Sequence, residues 1–158
     1  MKAASLSEVK NELKTLSHIQ LLDICLHLAK YKKDNKELLS YLLFEADDEA
    51  SYVKSVKELI TEQFNDINKS NTYFAKKTIR KILRTTTKYI KYSGSKQTEV
   101  ELLLFFCKKL QMSGISMQSS VALFNLYQRQ IQKIEKALAT MHEDLQYDYR
   151  EELEPLLK

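Results

Sequence analysis

Two glycines and one proline are all that punctuate 158 residues. Sheets made of tight hairpins need turn residues that accept positive φ, and this chain offers only Gly94 and Gly114. Its long stretches are rich in Leu, Lys, Glu and Gln, which favour helix. The hydrophobic share is 44% and the charged share 29%, as in an ordinary soluble globular chain. The length suffices for one domain with a real core. The expected fold is a single all-α domain over residues 1–158, with seven to eight helices packed as antiparallel hairpins.

Caps and apolar stripes place these helices. Ser5 with Glu8, and Ser17 with Gln20, have capping-box spacing. They open helices that run to about Thr15 and Lys32. The second helix carries Ile19, Leu22, Leu26 and Ala29, widened by Leu21, Cys25 and Leu28. A loop over 32–35 precedes a third helix, about 36–45, with apolar residues on every side, which predicts a central, buried position. The acidic cluster Glu45, Asp47, Asp48 and Glu49 begins a fourth helix with the stripe Val53, Val56, Leu59, Ile60, Phe64 and Ile67. A fifth covers 72–93 and ends at Gly94. The sixth, about 97–112, is the second helix that is apolar all round. Ser116 or Ser119 caps a seventh, carrying Val121, Phe124, Ile131, Ile134, Leu138 and Met141. A last acidic helix begins near Asp144, and Pro155 discourages its continuation. Helices three and six are the expected core, and Cys25 and Cys107 are expected as buried free thiols.

An offset of 61 residues lays KYKKDNKELLSYLLF (30–44) over KYSGSKQTEVELLLF (91–105). Lys30, Tyr31, Leu42, Leu43 and Phe44 fall on Lys91, Tyr92, Leu103, Leu104 and Phe105. The overlay implies two related three-helix units, helices two to four and five to seven. That layout resembles HEAT or armadillo layering, with a longer period and only two copies.

Several chemistries lack their residues. With only Gly94 and Gly114, neither a P-loop nor a dinucleotide fingerprint can form. There is no C-x-x-C, H-E-x-x-H or E-x-x-H, so a ferritin-like di-metal bundle is disfavoured. Asp23 and His27 are i, i+4 neighbours that read as a surface pair. The acidic clusters Glu45–Asp48–Glu49 and His142–Asp144–Asp148 read as solvated helix starts. No catalytic residue, metal or cofactor is expected. The opening residues lack an apolar h-region and no apolar run is long enough to span a bilayer, so no signal peptide and no membrane association are expected, and a cytoplasmic location is.

One feature rises above this background. No Asp or Glu occurs between Asp66 and Glu99, while nine Lys and Arg do. At roughly 100° per residue, Lys77, Arg80, Lys81, Arg84, Lys88 and Lys91 share one arc of the fifth helix. Ala75, Ile79, Ile82, Leu83, Thr86 and Ile90 share the opposite arc. The rest of the chain is acidic on balance. If Glu58 and Glu62, or the acidic last helix, lie beside this arc, its charge is answered within the fold. If not, it is free to bind.

The expected role is a non-catalytic helical interaction module that docks an acidic protein surface on this arc. The first alternative is a nucleic-acid-associated protein using the same cations, with Tyr73, Tyr89 and Tyr92 to stack bases. The second is a small helical enzyme or metal protein with a dispersed site. A homodimer is also expected wherever one chain leaves an apolar helix face uncovered.

Overall fold

Both expected capping boxes form. The Ser5 hydroxyl accepts the Glu8 N–H at 3.3 Å while the Glu8 carboxylate accepts the Ser5 N–H at 2.7 Å, opening α1 (Leu6–Leu13). Ser17 and Gln20 do the same for α2 (His18–Tyr31). The structure, a computed structural model, describes residues 1–118 and 120–158. The described residues form eight α-helices and no strand, so the chain is all-α. Among them, no helix is long and apolar enough to cross a membrane.

The chain divides into two compact units, residues 1–44 and 45–158. The first unit holds α1, α2 and α3 (Lys33–Phe44). The expected four-residue loop before α3 shrinks to Lys32 in an extended conformation. The Asn35 side chain donates to the Leu28 carbonyl at 2.9 Å and ties the corner. Helix α3 then doubles back on α2, so that Cys25, Leu28 and Ala29 share a groove with Leu38, Leu39 and Leu42.

The central, buried position expected for α3 is overturned. Tyr41 is its one buried residue, and Leu42, Leu43 and Phe44 are 56%, 62% and 79% exposed. Cys25, expected to be buried, is exposed as well. Within this unit α3 packs chiefly on α2, and one neighbour covers one face. Apolar residues all round a helix lead to burial only where other helices close every side.

The second unit holds α4 (Glu49–Asn65), α5 (Thr72–Ser93), α6 (Lys96–Met112), α7 (Val121–Leu138), α8 (Glu143–Leu153) and a 3-10 turn, Glu154–Leu156. Here the expectation for the second all-apolar helix holds. Helix α6 packs on α4, α5, α7 and α8, and Val100, Leu102, Leu103, Leu104, Phe106, Cys107 and Leu110 are buried. The Phe106 and Phe64 rings lie 5.6 Å apart. Burial pushes the Cys107 thiol up to about 12. The end of α5 is set by Gly94 at φ 67, whose N–H donates to the Ile90 carbonyl at 2.9 Å.

Two further expectations change. Helix α7 is capped by Ser120, which accepts the Leu123 N–H; Ser119 lies outside the described residues. Its buried stripe is Leu123, Tyr127, Ile131, Ile134 and Leu138, and Val121 and Phe124 are exposed. Ile131, Ile134 and Leu138 keep their expected burial, and in the first two turns Leu123 and Tyr127 take the inward positions in place of Val121 and Phe124. The expected three-helix grouping of α2 to α4 does not appear either: α4 belongs to the second unit and packs on α5 and α6.

Two substitutions test this core by urea unfolding. Phe106, fully enclosed, loses about 3–5 kcal/mol on Phe106→Ala. Gln130 is buried; among the described residues its Oε1 has no partner, while its Nε2 donates to the Leu126 carbonyl, already a helix acceptor, at 3.0 Å, so Gln130→Met raises stability by about 1 kcal/mol.

Candidate anion-binding face

Helix α5 spans the residues its sequence pattern marks out. Asn71 caps it, accepting the N–H groups of Tyr73 and Phe74 at 3.0 and 3.2 Å. Ala75, Ile79, Ile82, Thr86 and Ile90 are buried where the helix meets α4 and α6. Thr86 is tolerated there because its hydroxyl donates to the Ile82 carbonyl at 2.9 Å, leaving no orphan polar group.

That anchoring turns the opposite arc outward. Lys77, Arg80, Lys81, Arg84 and Lys91 are exposed. Among the described residues, none of these five makes an ion pair or hydrogen bond with a carboxylate. The internal neutralisation considered for Glu58, Glu62 and the last helix is therefore not made by direct pairing. From Lys77 to Lys91 the stripe runs about 21 Å along the axis at 1.5 Å per residue.

Lys88 differs from its neighbours. It is half-buried, with its ammonium 5.1 Å from the Tyr89 ring centroid and 5.9 Å from that of Tyr92. Those rings meet edge to face at 5.8 Å, and the Tyr52 hydroxyl holds the Tyr89 carbonyl at 2.9 Å. Near its C-terminal end the stripe thus includes a cation framed by two aromatic rings. Tyr73, at the other end, is 71% exposed.

The acidic clusters serve the fold. Asp48 is the N-cap of α4, accepting the Ser51 N–H at 3.1 Å and its hydroxyl at 2.7 Å. These two bonds hold its carboxyl below the usual carboxylate range. Glu49 accepts the hydroxyls of Ser93 and Thr98, tying α4 to the α5–α6 junction. His142 caps α8, with its Nδ1 3.4 Å from both the Asp144 N–H and carboxylate. Among the described residues, no three His, Cys, Asp or Glu side chains gather as a metal site would need. Asp23 and His27 are both exposed on α2.

One polar cluster goes beyond the sequence reading. Glu101 on α6 accepts from Tyr149 on α8 at 2.7 Å, Lys57 on α4 at 3.2 Å and Gln97 on its own helix at 3.2 Å. Burial alone would raise its carboxyl. The Tyr149 hydrogen bond, the Lys57 charge and hydrogen bond and the Gln97 amide outweigh it, and the net shift is downward. Burial and the same Glu101 contact push the Tyr149 phenol upward. The signal was in the sequence: a carboxylate within VELLLFFC has to find donors on neighbouring helices.

Comparison with known protein families, curated proteins and solved structures gives no match. The reading of the site therefore rests on its own geometry.

The Glu101 cluster predicts a pH dependence. Its folded pKa lies below the unfolded value, so its stabilisation is present above the usual carboxylate range and is lost as pH falls through the folded pKa. In thermal melts Glu101→Gln is destabilised at pH 7, and the gap to the wild-type chain narrows on acidification to about pH 3.

Proposed function

We propose that this protein is a helical interaction module that docks an acidic protein surface on the outer face of α5. The observation that carries the reading is the row of five exposed, unpaired cations, Lys77, Arg80, Lys81, Arg84 and Lys91, on a helix without one acidic residue. Each of these charges is hydrated and uncompensated, so an anionic partner gains attraction without first breaking an internal ion pair. The helix beneath is pinned through five buried side chains, which fixes the spacing of the charges before a partner arrives.

Nucleic acid is the second reading, and the tyrosines favour it. Tyr73 is exposed at one end of the stripe, and Tyr89 and Tyr92 flank Lys88 at the other. Such rings stack on unpaired bases beside phosphate-neutralising cations.

Fluorescence anisotropy with a labelled poly-glutamate peptide and with labelled single- and double-stranded oligonucleotides separates the two. The expected result is peptide binding that falls as salt rises. It is lost, by about tenfold or more in Kd, in a variant carrying Lys77→Glu, Lys81→Glu and Arg84→Glu with unchanged circular dichroism. These three positions are exposed, so each single change shifts stability by no more than about 0.5 kcal/mol. Oligonucleotide binding with a steep salt slope and no peptide binding moves the assignment to nucleic acid. No binding of either at low salt removes both readings.

A further inference from the structure

We infer that the α2–α3 hairpin is a self-association surface, and that a second copy of this chain packs on it to complete a four-helix bundle. The inference goes beyond the docking role of α5 and does not depend on it.

The hairpin buries almost nothing of its own. Helix α2 has no buried residue and α3 has only Tyr41. Ten large apolar side chains of the two helices are exposed, among them Ile19, Leu22, Leu28, Leu42, Leu43 and Phe44. At roughly 100 Å² each they present about 1,000 Å² summed over all sides of the two helices, and the side that carries the groove supplies part of it towards the ~800 Å² per partner of a standard stable interface. Monomers rarely leave so many large apolar side chains of one helix pair in water.

The chemistry of the surface selects its occupant. Between Ile19 and Ala29 only Asp23 and His27 are ionisable apart from Cys25, and from Leu38 to Phe44 no side chain is charged. An acidic or basic partner finds little counter-charge on these stretches. The matching surface is an equally apolar helical pair, and every copy of the chain brings one at equal concentration. An isologous contact between two such hairpins buries the same residues on both sides and closes after two copies. Side by side, two antiparallel pairs are the four helices of a bundle. The groove lined by Cys25, Leu28, Ala29, Leu38, Leu39 and Leu42, about 240 Å³, is where side chains of the second hairpin would seat.

Sedimentation equilibrium of the full chain over roughly 1 to 100 µM decides the stoichiometry. The expected result is a monomer–dimer equilibrium, weakened at least a hundredfold in Kd by Leu28→Glu with Leu42→Glu. Cys25 gives a second readout that needs no variant. It is exposed in the groove while Cys107 is buried, so maleimide labelling of the native protein reports Cys25 alone. Its rate should fall severalfold as the protein dimerises. A monomer with a constant Cys25 rate up to the highest concentration overturns the inference. So does association that survives both glutamates, or that continues past two copies. Flotation of a monomer with phosphatidylcholine vesicles would overturn it in favour of a lipid surface.

Discussion

Enclosure of α6 by α4, α5, α7 and α8 is the interaction on which the second unit depends. Val100, Leu102, Leu103, Leu104, Phe106, Cys107 and Leu110 point in several directions, so no single partner helix could remove them all from water. Each surrounding helix contributes one apolar stripe and is thereby held in one rotation about its axis. For α5 that rotation decides which residues meet solvent. With Ala75, Ile79, Ile82, Thr86 and Ile90 inside, the 100° periodicity leaves the cations no place but outside. The exposed stripe is a by-product of core packing and inherits its rigidity.

The same geometry explains the two polar clusters on the flanks of α6. Glu101 and Thr98 flank the apolar centre of α6, and both reach polar groups on neighbouring elements. Glu101 meets Tyr149, Lys57 and Gln97; Thr98 meets Glu49. Directional bonds of this kind add registry to a core whose dispersion contacts alone would allow sliding.

Local signals were legible and neighbourhood was not. The capping boxes at Ser5 and Ser17 and the limits of α5 with its two arcs follow from residue type and spacing. Helix α3 matches α6 in apolar pattern, and the overlay of 30–44 on 91–105 places Leu42, Leu43 and Phe44 on Leu103, Leu104 and Phe105. Yet Leu103 and Leu104 are buried, whereas Leu42, Leu43 and Phe44 are exposed. Pattern states how many faces a helix needs covered. It does not state how many neighbours the fold supplies. The first two turns of α7 are the smaller version of the same limit: Leu123 and Tyr127, not Val121 and Phe124, are the ones its neighbours cover. The partners of Glu101 could not be named from the sequence, because contacts across 44 and 48 residues are a property of packing. That Glu101 would need partners could have been foreseen.

Charge segregation gives this molecule a polarity of its own. Nine of its cations fall in one stretch without an anion, and the remainder is acidic on balance, so the second unit carries a permanent electric dipole with its positive end at α5. In the field of any anionic body such a dipole experiences a torque as well as a pull. The molecule turns before it touches, over distances of about one Debye length, ~8 Å at physiological salt. A uniformly basic protein of the same net charge of +4 would be attracted without being oriented. Here orientation is built into the order of residues along one helix.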